Sequence, residues 1–283
     1  MTRLPLALLL LAAPAFAETL TATDIMKRVA ENQTNAQEAR AKYVYDMNVF
    51  VRLKRGNGKL AREESRDYIV APSAKRSSRK LVKVEGRILD GKKETTYTEA
   101  GYKTKDMDID GSITDSFARE VMWRKNDLGP MIDWFPMTAD RQNYYGFKLE
   151  GEEKYKEYDV YKIAFDGHGE DDDCWKGEAL IEKNEFQPVL ITSHWTCKIP
   201  KAVTIMLGIS VKDIGAKISY QRFDKDVWFP VNCGGEMKLR LFFGYARTIA
   251  FSAKNAAFRK AEVDTSIDFD TEDADSSPTV SPD

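Results

Sequence analysis

From Tyr43 to Leu53 every second residue is large and apolar: Tyr43, Tyr45, Met47, Val49, Val51 and Leu53. The residues between them are mostly polar (Asp46, Asn48, Arg52 and Lys54), interrupted by Val44 and Phe50. Side chains of a strand point to alternate faces, so this is a strand with one buried and one wet face, as in antiparallel sheets. The same period recurs. "GNG" at 56–58 turns the chain into a second strand at Glu63–Val70. Asp90-Gly91 carries a type I′ hairpin signal. "YYGFKLEGEEKYKEYDVYKIAFD" reads as a hairpin around Gly151, and "CWKGEALIEKNEFQPVLITSHWTC" as one turning at Asn184–Gln187. "GAKISYQRFDKDVWFPV", "GEMKLRLFF" and "YARTIAFS" complete a meander. Roughly ten strands exceed what one flat open sheet tolerates, so the sheet must curl into a barrel or part-barrel.

Two segments break the strand rhythm. Residues 23–41 have helical spacing, led by Ile25, Met26 and Val29 behind a Thr21-x-x-Asp24 capping box. The "NQT" at Asn32 falls inside this helix and reads as a chance sequon. A second helix is expected at 113–124, with Ser112 as N-cap, Asp115 as box partner, and Ile113, Phe117 and Val121 as its apolar stripe. Gly129-Pro130 ends that segment, and "MIDWFPM" follows it.

The first residues, "MTRLPLALLLLAAPAFA", have the form of a secretory signal: Arg3, an apolar run, then Ala15-Phe16-Ala17 as cleavage site. The run falls short of the roughly 20 residues a membrane span needs. The expected organisation is a signal peptide at 1–17, one half-barrel domain at 18–262, and a disordered acidic tail at 263–283, rich in Ser and Pro. The expected destination is the periplasm, as a soluble protein. With 43 basic and 45 acidic residues, the chain offers no electrostatic footprint for nucleic acid.

Chemistry-bearing motifs are few. Only His168 and His194 are present, and there is no nucleophile elbow, zinc-protease helix or phosphate-cradling glycine loop. Ser193 and His194 are adjacent on a strand and therefore face opposite ways. The run Asp166 to Asp173 gathers oxygen ligands at spacings reminiscent of calcium loops, but it lacks their central Gly and bidentate acid, and reads as a solvated turn. No catalytic residue, metal site or cofactor is assigned. Of the three cysteines, Cys174 and Cys197 fall on consecutive strands. A turn at Asn184–Gln187 puts them opposite each other, so a Cys174–Cys197 disulfide is expected, with Cys197–Cys233 as the rival pairing.

The block "KIPKAVTIMLGIS" at 198–210 is apolar in a charged neighbourhood. Pro200 and Gly208 make a regular strand improbable, so a short helix or loop is expected. Its side chains need a sink, because burying each contributes about 1.5–3 kcal/mol. That sink is either a static core or the mouth of the curled sheet.

The order of these segments, together with the ending "YQRFDKDVWFPVNCGGEMKLRLFFGYARTIAFSAKNAAFRK", resembles the outer-membrane lipoprotein-sorting proteins. This is the superfamily of the carrier LolA, the receptor LolB and the sensor domain of RseB. The resemblance covers about residues 20–262 and looks closest to the larger secreted members. It implies a mainly β (α+β) fold: a half-open, curved antiparallel β-barrel with helices over its concave side, whose apolar space takes acyl chains. The two helices and the loop at 199–209 would then cover the cavity. The side chains expected to line it or act as its lid are Trp123, Trp134, Phe135, Val203, Met206 and Leu207. The implied partners are lipid or lipoprotein acyl chains and a protein of the envelope. A non-enzymatic carrier or sensor is the leading expectation. An exported hydrolase using the acidic turn and a lipid-independent protein-binding module are the alternatives.

Overall fold

The computed structural model describes residues 20–71, 78–121, 135–168, 174–197, 210–224, 227–241 and 244–261. The alternation at 43–53 becomes β1 (Tyr43–Arg55), whose odd-numbered residues are buried from Tyr43 to Leu53. It is joined to β2 (Leu60–Ala71), followed by β3 (Ser78–Asp90) and the short β4 (Lys93–Tyr97). Then come β5 (Tyr145–Tyr155), β6 (Tyr158–Gly167), β7 (Trp175–Glu182), β8 (Pro188–Trp195), β9 (Ser210–Asp224), β10 (Val227–Arg240) and β11 (Ala246–Lys260).

All eleven strands form one antiparallel sheet in the order β4-β3-β2-β1-β11-β10-β9-β8-β7-β6-β5. Every neighbour in that order is a sequence neighbour except one, the pairing of the first strand with the last. The sheet is not closed: β4 and β5 are its edges. It curls about a single apolar face, and that face carries the core.

Among the described residues three α-helices accompany it. α1 (Ala22–Arg40) starts at Thr21 with the expected capping box, Thr21 and Asp24 each satisfying the other's backbone. Ile25, Met26 and Val29 are fully buried. Asn32 lies within α1 and donates to Glu185 O at 2.6 Å. α2 (Ile109–Ser116) begins earlier than its periodicity suggests and runs on into a π-helical turn at Phe117–Val121. Its cap is Asp108, which accepts from Gly111 N at 2.8 Å, and not Ser112. Ser112 sits inside the first turn, its N–H bonded to Asp108 O. Asp115 binds arginines instead of closing a box. Of the expected stripe, Ile113 and Phe117 do pack against the core. α3 (Ala139–Gln142) is a single turn before β5.

Two further expectations need correction. The β5–β6 turn falls at Lys156–Glu157, with Lys156 at φ 55°, not at Gly151. Gly151 marks a bulge within β5, where the register slips between Leu149 and Gly151 and φ is 154°. The β7–β8 ladder pairs Trp175 with Trp195, one residue off the expected register: the turn sets Ile181 opposite Pro188, two residues off, and a bulge at Leu180/Ile181 takes one of them back. Cys174 and Cys197 therefore lie just past the ends of the ladder. They still form the disulfide, with Cα atoms 5.2 Å apart. Cys233 is the buried free thiol, and burial pushes its pKa up to about 12. The block at 198–209 and the stretch at 122–134 lie outside the described residues.

Candidate functional site

Strand registers place one row of inward-facing residues across the whole sheet. It runs Phe147, Phe165, Gly177, Ser193, Ala216, Gly235, Phe251, Val51, Glu64, Gly86 and Tyr97. Between Phe165 and Phe251 stand four small residues in succession, Gly177, Ser193, Ala216 and Gly235. The two glycines are places of close approach: a Cβ on Gly235 would fall 2.2 Å from Gly215 O and 2.9 Å from Phe251 Cζ, and one on Gly177 2.1 Å from Thr192 O. A groove of about 620 Å³ borders this region, lined by Ser193, Ala216, Gly235 and Phe251 together with residues of the alternate register, among them Lys217 and Asn232. The next row, Ile163, Ala179, Ile191, Ile218, Cys233, Ala253 and Val49, is almost wholly buried and apolar. Three polar atoms on this face are buried with no hydrogen-bond partner: Ser193 Oγ, Tyr220 Oη and Asn255 Oδ1.

α1 spans one end of the face, packing on β5 and β10. Besides its apolar stripe it is held by hydrogen bonds to neutral acceptors. Gln33 Nε2 donates to Gln187 Oε1 at 2.7 Å, and Arg40 donates to Trp228 O at 2.6 Å and to Gln33 Oε1 at 3.0 Å.

The other end is polar. Where apolar residues are expected on the inner face of β2, the chain carries Arg62, Glu64 and Arg66, all at most 2 % exposed. Arg62 donates to Tyr97 Oη (2.8 Å), Asp108 (3.1 Å) and Tyr102 O (2.6 Å). Arg66 donates to Glu64 (2.5 Å) and Asp115 (2.7 Å), and Tyr97 Oη donates to Glu64 (2.6 Å). Tyr97 fits there because its ring lies over Gly86, where a Cβ would come within 1.9 Å of Cζ. On the next strands Arg247 forks onto Asp110 at 2.8 and 2.9 Å, joined by Tyr245. The acids at 108, 110 and 115 thus fasten α2 to the sheet.

The electrostatics follow. Burial works against the charge of Arg66, but Glu64 and Asp115 outweigh it and raise its pKa. Burial likewise opposes the charge on Asp108, yet amides of Thr104 and Gly111, the Thr104 hydroxyl and Arg62 hold it below the usual carboxylate range. Burial, then Glu64, raises Tyr97.

Of the sequence-predicted lining residues, Phe135 is fully buried, packed edge-on to Phe165 and against Trp175. Trp123, Trp134, Val203, Met206 and Leu207 lie outside the described residues. His194 is exposed while Ser193 is buried, on opposite faces as expected. Among the described residues no three His, Cys, Asp or Glu gather as metal ligands. The arginine–carboxylate stripe on β2 was missed by sequence reasoning. Its one signal is the charge at alternate positions 62, 64 and 66, on the face that must be inside.

The fold and this covered face define a class: an open, curled antiparallel sheet with helices laid across its concave side. No protein-family model matches the chain, and no curated relative matches it. Among solved structures it is similar to a LolA superfamily protein from Nitrosomonas europaea, at 12% identity and TM-score 0.35, over 87% of this chain and 96% of that one. It is also similar to a Vibrio parahaemolyticus domain named for outer membrane lipoprotein sorting (9% identity, TM-score 0.39, 85% of this chain and 93% of that one). A third is the Pseudomonas aeruginosa MucA/MucB complex (10% identity, TM-score 0.21, 83% of this chain and 99% of that one).

Proposed function

We propose that this chain is a non-enzymatic carrier or sensor of the periplasm that shelters acyl chains against the inner face of its sheet. The observation that supports this most is the row of four small side chains, Gly177, Ser193, Ala216 and Gly235, flanked by Phe165 and Phe251. Beside that row lies the groove of about 620 Å³, next to an otherwise apolar, buried face. Moving methylenes from water into such a place contributes about 0.8 kcal/mol each. In this reading Trp123, Trp134, Phe135, Val203, Met206 and Leu207 line or close the space, the last three as a lid. The test is mass spectrometry of organic extracts from protein purified without detergent, with Met206→Asp alongside. A co-purifying lipid that Met206→Asp abolishes, with the fold intact, is the expected result; extracts empty of lipid would refute the carrier.

One observation favours a second reading, docking of a protein of the envelope. β4 pairs only with Gly86–Asp90 of β3, so among the described residues Lys80–Glu85 pair with β2 on one side and with no strand on the other. Leu81 and Val82 there are 39 % and 58 % exposed. An open edge of this kind can accept an added strand. Strong binding of a partner by lipid-free protein would favour it.

A further inference from the structure

Arg40 is the last residue of α1 and only 7 % exposed, yet among the described residues it has no ion-pair partner. Its guanidinium donates to two neutral oxygens, Trp228 O and Gln33 Oε1. Gln33 passes the chain on to Gln187, also neutral. Glu185, on the nearby β7–β8 turn, is taken up by Trp228 Nε1 and Arg222. The other buried arginines of the inner face, Arg62 and Arg66, each hold carboxylates. A buried charge is ordinarily paired, because desolvation is costly. The carbonyls ending α1 offset only part of it, with about half a negative charge.

A second group beside Arg40 is unfinished. Tyr220 is 4 % exposed and its hydroxyl has no hydrogen-bond partner among the described residues. It lies close enough to Arg40 for each to act on the other's ionisation. It stands opposite Pro230, two residues from the Trp228 whose carbonyl Arg40 holds. Two buried donors, one of them a cation, thus lie near each other, and among the described residues neither meets an anion.

What lies next to them along the strands is apolar. On β9 the inward residues after Tyr220 are Ile218 and Ala216. On β10 and β8 they are Cys233 then Gly235, and Ile191 then Ser193. From Tyr220 to the row of small side chains is four residues, about 13 Å at strand rise.

We infer that Arg40 and Tyr220 form the head-group site of a single-chain anionic amphiphile, its carboxylate or phosphate held there and its tail running along β9 toward Ala216. This rests on the carrier reading above and adds which lipids would be chosen. The guanidinium presents a fork that fits two oxygens of a carboxylate or phosphate, and the phenol supplies a further donor.

The probes are dodecanoate, dodecyl phosphate, methyl dodecanoate and acetate, titrated into the delipidated full chain by calorimetry. Both anionic amphiphiles should bind at least tenfold more tightly than the neutral ester, and acetate should show no binding. The ratio of their affinities tells which head the site prefers. Arg40→Met should erase the preference while leaving ester binding in place. Tyr220→Phe, which keeps the ring, should reduce the preference several-fold and guards against Arg40→Met failing to fold. Equal binding of acid and ester by the unaltered chain, or a preference untouched in Tyr220→Phe and Arg40→Met, overturns the head-group site while the carrier stands. Binding of neither acid nor ester overturns both.

Discussion

The two long-range helix seats of this sheet are built on opposite principles. α1 presents Ile25, Met26 and Val29 to apolar side chains and is trimmed by neutral hydrogen bonds. α2 presents acids, Asp108, Asp110 and Asp115, to Arg62, Arg247 and Arg66. An apolar seat contributes free energy roughly in proportion to area but tolerates sliding. A seat of buried ion pairs contributes little net stability, since desolvation cancels most of the attraction, but it has one geometry in which every donor is met. α1 therefore supplies core, and α2 is held at a fixed place over β1, β2 and β11. The lone Arg40 belongs to the apolar seat, which is why its missing carboxylate stands out.

Three measurements would break or sharpen this contrast. The largest effect is expected from Glu64→Ala. It strands Arg66 and weakens the hold on Arg62 and Tyr97, and breaking such a buried network by removing one partner costs about 3–5 kcal/mol. Urea unfolding should show the loss, and hydrogen exchange should place it at β2 and α2; a change under 1 kcal/mol would mean the stripe is hydrated. Met26→Ala comes next, at about 2–5 kcal/mol for a fully buried side chain. Here the loss should appear in global unfolding, with exchange at α2 unaltered. The smallest is a pH effect. Asp108 has a folded-state pKa below its ordinary 3.8. The stability it adds is therefore present above about pH 4 and lost as pH falls through the folded value. Acidification toward pH 3 should loosen α2 before α1, visible in amide exchange of Ile109–Ser116; simultaneous loss of both helices would count against separate seats.

Much of this architecture was legible from residue order. The alternation of Tyr43 to Leu53 marked β1 and its buried face, and the Thr21–Asp24 box marked the start of α1. Local signals sufficed because strand period and capping act within a few residues. Where two local signals competed, the nearer to the apolar stripe misled. Ser112 looked like the cap, but Asp108 has three more donors, Arg62 and the N–H and hydroxyl of Thr104, to hold its carboxylate in place. Gly151 suggested a turn, yet the chain turns at Lys156–Glu157, a pair with no turn chemistry of its own. The disulfide was anticipated although the register was one residue off, because its geometry tolerates the offset that a bulge introduces.

The candidate site was less legible. Arg62 and Glu64 read as ordinary wet-strand charges until Tyr97 and Asp108, more than thirty residues on, are brought against them. Arg40 reads as the usual basic residue closing a helix, and only the packing of α1 onto β10 buries it. The row Gly177–Ser193–Ala216–Gly235 exists only once four strands are in register.

The pairing of β1 with β11 has a kinetic consequence. A chain made from its N-terminus completes β1 to β4 while the partner for the other side of β1 is still some two hundred residues away. Until Ala246–Lys260 arrives, β1 carries an unsatisfied ladder of amides flanked by Met47, Val49 and Val51, an adhesive surface in a half-built molecule. Contacts this distant in sequence make for slow acquisition of structure. The last strand to be synthesised is thus the one that closes the seam, and shortening it should trap aggregating intermediates more readily than trimming β4 at the opposite margin.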